Sequence, residues 1–341
     1  VQIYLYRSRQ ASTPIFIEDS IYPLSYFYEA DNYKNLKPLR AMESQGDTGE
    51  NQPGNPPNTD ILNISRKQIF VTPEYPAGHQ NDPFKKDRIE QELRDRLAAG
   101  RQSQGEGYPN QNRSSLCGPA AYFYCLLKDR PDLYQIAVKQ LWETGKANFA
   151  NLEIKAGDAA QPKNFFDEVG DQRISGLDWI TLGSLRDSEN LIWDYDSPTK
   201  EMAAITTHWD MEKWLKKSDA KNLHNLVTIR GSSTLKEMAE INKYAIQGYR
   251  VVQLMSSPNI FAGATTPNFK AHWIVWESPL HSQQTGGIID QYSRLTDTVD
   301  LKLFTWGKVK NLIEHSEYTK EITLKKFLNA SFGAIVFEAI T

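Results

Sequence analysis

Cys117 stands in Ser114-Ser115-Leu116-Cys117-Gly118-Pro119-Ala120-Ala121, the stretch of this chain best suited to nucleophilic chemistry. Ser115 is a natural N-cap. Pro119 is tolerated in a helix only in the first turn, where its missing N–H has no intrahelical partner. Together they predict a helix with Cys117 in its first turn. The exposed N–H groups and positive dipole end there favour a thiolate, and Gly118 leaves room for a carbonyl to approach the sulfur. A thiolate so placed would perform acyl transfer, which needs a base and usually a group to orient that base. Cys125, mid-helix between Tyr124 and Leu126, reads instead as a small buried hydrophobe. On one helix the two cysteine Cα atoms lie about 12 Å apart. That exceeds the reach of a disulfide, so both read as free thiols.

Of the six histidines, His79, His208, His224, His281 and His315 fall in segments with loop, turn or polar-helix character. His272 differs, because it opens the apolar run His272-Trp273-Ile274-Val275-Trp276. A base at the edge of a core strand is held rigidly and still reaches a neighbouring site. Asp290, in Ile288-Ile289-Asp290-Gln291-Tyr292, has apolar neighbours that make an unpartnered acid costly. We expect an adjacent strand to bring it to the imidazole. Glu277 competes for that role but lies five residues along the strand of His272, about 16 Å away.

The elements that must position these groups follow from the hydrophobic pattern. Residues 1 to about 43 hold strand-like stretches at Val1–Arg7 and Pro14–Glu18, followed by an aromatic-rich segment. Glu43–Asp60 is rich in Gly, Asn and Pro and reads as a flexible loop. Gln68–Pro73 reads as a strand, and Pro83–Gly100 as a polar helix with Asp82 as its start signal. The cysteine helix is apolar nearly all round, which implies burial. Between about 131 and 235 the chain is more polar, with helical patterns at Leu133–Thr144 and Met211–Lys217, and a further helix opens at Ser233-Thr234. Five strand candidates follow, at 250–256, 271–277, 287–292, 301–306 and 333–339. One helix followed much later by a run of strands is an α+β order.

Composition excludes several classes. Lys and Arg total 39 against 42 Asp and Glu, so the chain lacks the positive field of a nucleic-acid binder. No apolar run approaches the roughly 18 residues of a membrane span, so we expect a soluble chain. No His-Glu-x-x-His, clustered Cys/His, Walker or dinucleotide glycine motif occurs, so no metal and no cofactor is expected. The chain opens on Val1 without a signal-peptide pattern, and we expect either a trimmed chain or the tail of a longer polypeptide.

Cys117-Gly118-Pro119-Ala120-Ala121 opening an apolar helix resembles the nucleophile motif of papain-like cysteine peptidases, especially the double-glycine leader peptidases of bacterial exporters. The resemblance covers the cysteine helix and roughly residues 235–341, in the right order. It implies a papain-like α+β fold, with the nucleophile helix packed on a C-terminal antiparallel sheet. It also implies His272 as the base opening a core strand, Asp290 as the orienting carboxylate, and Gln111, six residues before the cysteine, as an oxyanion-hole donor. Residues 1–100 then form an N-terminal extension and 101–341 the catalytic domain, with an insertion at about 131–235. The expected activity is hydrolysis of amide bonds in a protein or peptide substrate. Glutamine deamidation, transglutamination and an inactive binding module remain open on the same fold. The added segments resemble those of a secreted bacterial effector or toxin, whose partners would be an immunity protein or a secretion apparatus.

Overall fold

The computed structural model describes residues 4–5, 15–16, 62, 68–189, 197, 206–228, 232–261, 271–315 and 321–341. The chain divides into two units, Val1–Ile61 and Leu62–Thr341. In the first, β1 (Tyr4–Leu5) and β2 (Ile15–Phe16) pair antiparallel, inside the two stretches expected to be strands. The loop expected at Glu43–Asp60 lies outside the described residues.

The second unit mixes helix and sheet. In chain order it runs α1 (Lys86–Gly100), β3 (Gly105–Glu106), α2 (Cys117–Asp129), α3 (Pro131–Thr144), β4 (Lys146–Phe149) and β5 (Leu152–Lys155). A continuous helical run over 176–189 follows, with a π-helical turn at Trp179–Gly183. Then come α4 (His208–Lys217), β6 (His224–Asn225), α5 (Leu235–Ile246), β7 (Arg250–Ser256) and β8 (Ala271–Trp276). The chain ends with β9 (His281–Ser282), β10 (Val299–Asp300), β11 (Lys302–Thr305), β12 (Lys308–Asn311), α6 (Leu324–Ala330) and β13 (Ser331–Phe337).

Seven strands form one sheet in the order β3-β12-β11-β8-β7-β13-β6, each neighbour antiparallel. Side chains alternate between its faces. Trp273 and Val275 point to one side of β8, and His272, Ile274 and Trp276 to the other. Helix α2 covers the first side: Tyr124 stacks on Phe304 with ring centroids 4.0 Å apart, and Phe304 pairs with Val275 across the ladder. Met238 and Ile241 of α5 and Leu324 and Phe327 of α6 cover the second, in one cluster with Ile274, Trp276 and Leu303.

Gly118 to Leu127 of α2 are all buried, as its apolar circumference requires. Burying a side chain the size of Phe123 stabilises by roughly 1.5–3 kcal/mol. At its far end Asp129 accepts two hydrogen bonds from Arg250, at 2.9 and 2.7 Å, which ties α2 to β7. Helices α4 and α5 begin with complete capping boxes, Thr207 with Asp210 and Thr234 with Glu237.

Some local expectations fail for identifiable reasons. Ser115 does not cap α2; the cap position is Leu116, and Ser114 Oγ donates to the Gln111 carbonyl at 2.6 Å instead. Pro119 does lie in the first turn. Asp82 does not cap α1, because its carboxylate accepts from Phe84 N, Gly78 N and Gln68 Nε2 in the preceding loop. Residues 68–73 form no strand. Nor does the segment 287–292, which makes a single bridge from Ile288 to His281 before entering a turn.

Residues 62–100 belong to the second unit and are not a separate extension. Buried Arg96 of α1 makes a two-pronged ion pair with Asp178 at 2.7 and 3.0 Å and also donates to Tyr134 Oη and the Gly107 carbonyl. This network joins α1 to α3 and to the helical run. No helix among the described residues is long and apolar enough to cross a membrane.

Candidate active site

The site begins where two strands part. The β8–β11 ladder pairs Leu303 with Trp276 and Phe304 with Val275, then stops. Beyond it β11 turns into β12 through Trp306 and Gly307, with φ of 46° and 70°. Two consecutive positive φ values fit the twist of a tight hairpin. Glu277 N–H donates to the Lys302 carbonyl at 2.7 Å. Period two therefore turns the Trp273 N–H toward the same side, where its partner strand has ended. The first turn of α2 fills this notch. The backbone N–H groups of Trp273, Gly118 and Cys117 itself act to lower the thiol's pKa.

These amides favour the thiolate, and so does the positive charge of buried Arg186, which pairs with Asp210 at 3.4 Å. Desolvation outweighs them. Burial pushes the Cys117 thiol above its ordinary value, so the helix start by itself does not give the depressed pKa expected from sequence. Both cysteines are free, and burial raises Cys125 well above the usual thiol range, with nearby Asp129 adding to the rise.

His272 follows directly on the first residue of β8, as expected, and is 5 % exposed. Its ring lies on the α5 and α6 side of the sheet. Nε2 is 2.6 Å from Thr305 Oγ1, and Trp306 stacks on the imidazole with centroids 4.6 Å apart and planes 22° from parallel. The structure thus brings Cys117 to the amide of the residue after His272 but turns the imidazole to the opposite face. Among the described residues no hydrogen bond joins thiol and imidazole.

Asp290 is not the partner of His272. It is exposed, and its Oδ1 accepts from Tyr292 N at 2.9 Å and Ser293 Oγ at 3.1 Å, closing its own turn. The apolar neighbours that made it look buried are split: Ile289 packs in the core while Ile288 faces outward. The hydroxyl of Thr305 occupies the place expected of the carboxylate. Glu277 lies at the other end of β8, 3.7 Å from Arg250.

Gln111 is half-buried, and its side-chain oxygen is buried without a hydrogen-bond partner. Its backbone carbonyl accepts from both Ser114 N and Ser114 Oγ, which folds the loop back just before α2. Gly118 does not leave open space for a substrate. A Cβ placed there would lie 2.3 Å from both Cβ and Oγ1 of Thr206. The Thr206 carbonyl in turn accepts from the Trp273 indole at 3.0 Å.

Sequence reasoning missed Thr305, Trp306, Arg186 and Thr206. The first two follow the ladder's end and are visible only once register is known. Arg186 and Thr206 come from the section at 131–235, which carries no motif yet borders Cys117. Trp306 also lines a pocket of about 310 Å³, together with Glu92, Arg96, Asp178 and Lys308 among others. Burial raises Glu92 to about 7, against the hydrogen bond it accepts from Leu177 N–H, and Asp178 adds to the rise. No group of three or more His, Cys, Asp or Glu suited to a metal ion occurs among the described residues.

No protein-family model matches the chain, and no curated protein or solved structure is significantly similar to it.

Proposed function

We propose that this chain is a cysteine-dependent amide hydrolase of papain-like type, with Cys117 as nucleophile and His272 as base. One observation carries the reading. The first turn of an otherwise buried helix holds a free, partly exposed thiol next to the strand start that also bears a histidine. A buried structural cysteine has no need of such a setting.

In the reaction His272 takes the thiol proton as Cys117 Sγ attacks the carbonyl carbon, and the C=O electron pair moves to oxygen. The backbone N–H groups at the helix start and the Gln111 side-chain amide are the donors proposed for that oxyanion. Collapse breaks the C–N bond as His272 protonates the leaving amine, and water then cleaves the thioester. Replacing water by an amine gives transglutamination, and a glutamine side chain as substrate gives deamidation. We take a protein or peptide amide as the substrate class.

Thiol and imidazole must meet for this chemistry, so the arrangement described is a resting one. The thiol is protonated, and the ring is held by Thr305 and Trp306. Catalysis requires His272 to swing past the start of β8. With Nε2 occupied by Thr305 in the resting form, the swing breaks that hydrogen bond. The position of the ring also favours a second reading, a binding module that keeps the fold without turnover.

Reaction with iodoacetamide separates the two. The hydrolase should label at Cys117 at a rate that falls at least tenfold in His272→Ala. Equal rates in wild type and His272→Ala would leave the binding module standing. On any peptide the wild type cleaves, Cys117→Ser should abolish turnover. Gln111→Ala should lower it about 10²–10³-fold, with Asn110→Ala nearly silent.

A further inference from the structure

Thr206 is 7 % exposed, and its Oγ1 is buried with no hydrogen-bond partner. Buried hydroxyls are nearly always partnered. Its neighbour Thr207 supplies the cap of α4 by itself, through both its N–H and its hydroxyl, so the helix start does not require the Thr206 side chain. Nor does packing require a hydroxyl, since valine has the same shape and would orphan nothing.

The position of Thr206 is fixed by the two neighbours of Cys117's sulfur. Its carbonyl accepts the Trp273 indole N–H at 3.0 Å, and its side chain rests on Gly118 so closely that any Cβ there would overlap it. Trp273 and Gly118 are the residues whose amides favour the Cys117 thiolate. A rotatable O–H donor is therefore held against Gly118, the residue after the nucleophile, by the same contacts that shape this end of the helix.

We propose that Thr206 binds substrate: its hydroxyl donates a hydrogen bond to the carbonyl oxygen of the acyl group brought to Cys117. The inference rests on the hydrolase reading and adds a residue to it. It makes Thr206 a donor for the oxyanion, alongside the backbone amides.

The probe is p-nitrophenyl acetate, an activated ester. The Cys117 thiolate attacks its carbonyl carbon and a C–S bond forms. The C–O bond to the aryl group breaks, and p-nitrophenolate leaves with the electron pair. Nothing is oxidised or reduced. Iodoacetamide is the control, because it alkylates the same sulfur at a saturated carbon and develops no oxyanion. Thr206→Val and Thr206→Ala should acylate at least tenfold more slowly, while Thr206→Ser stays near wild type and all three alkylate with iodoacetamide at the wild-type rate. The alanine variant, smaller than the native residue, keeps the test valid if valine perturbs folding. Wild-type acylation rates in both Val and Ala variants overturn the inference and leave the hydrolase reading intact. A parallel fall in acylation and alkylation overturns it too, by assigning Thr206 to the architecture of the thiol. Cys117→Ser acylating as fast as wild type removes the hydrolase reading and this inference together.

Discussion

Thr305 Oγ1 and His272 Nε2 lie 2.6 Å apart on the face of the sheet turned away from Cys117. That hydrogen bond is one of the contacts that keep the proposed base on that face. A hydrogen bond of this kind contributes about 0.5–1.5 kcal/mol. Thr305→Val should therefore release the ring and raise the neutral-pH alkylation rate of Cys117 about 2–10-fold. Mass spectrometry of the labelled cysteine reads the rate directly, and a lower rate would make Thr305 an orienting residue instead of a restraint.

The two thiols should differ in kind. Burial raises Cys117, so its thiolate appears only above the pH at which a free cysteine ionises. Its alkylation should be slow near pH 7 and climb through the alkaline range. Cys125 is fully buried and shifted further, so it should label only on unfolding. Equal labelling of both cysteines in the native protein would contradict the placement of α2.

Gly118→Ala should destabilise the fold, because the new methyl carbon would sit 2.3 Å from Thr206 Cβ. Overpacking of this sort costs about 1–3 kcal/mol. Paired with Thr206→Gly, the loss should be partly relieved, since residues in contact are not additive. Urea denaturation of the four proteins in the cycle measures the coupling.

The Arg96–Asp178 pair is buried on both sides. Removing one partner strands the other charge, at a cost of about 3–5 kcal/mol. Asp178→Ala should lose that much stability, seen as an early denaturant midpoint, even though the site is distant in sequence from Cys117.

Glu92 gives a pH dependence with a definite sign. Its folded pKa is raised from 4.5 to about 7, chiefly by burial. The folded state therefore holds the proton more tightly than the unfolded one. The stability this provides is complete below the unfolded value and lost as pH rises through about 7. Glu92→Gln keeps an acceptor for Leu177 N–H without the charge. It should melt higher than wild type at pH 8 and show no such gain at pH 5, at roughly 2–4 °C per kcal/mol. A gain of equal size at both pH values would rule out titration of Glu92 as the cause.

Much of the scaffold could be read from the chain itself. The apolar girth of residues 117–128 gave a buried helix, and strand-like runs gave β7, β8 and β11 to within a residue and β13 to within two. The site was legible only as far as local pattern reaches. Cys117 and the strand start at His272 could be placed because helix start signals and alternation are local. The orienting group could not, because it depends on which residue of another strand falls beside the imidazole. Asp290 looked buried by its neighbours, yet one of them, Ile288, faces outward. The ladder's end at Phe304 then puts Thr305 there, and no sequence spacing encodes where a ladder ends. Gly118 misled for a related reason. A glycine beside a nucleophile reads as access, whereas here it accommodates Thr206 from a segment without any motif.

Both margins of the main sheet are two-residue strands, β3 and β6. At the β3 margin Glu106 is bracketed by Lys308 and Lys310, so the rim carries charge where it carries backbone. A foreign strand would find too short a ladder to extend, and would have to strip water from three ionic groups to do so. This margin of the main sheet should accordingly resist extension by a foreign strand, with the long hydrophobic strands kept at the centre of the sheet.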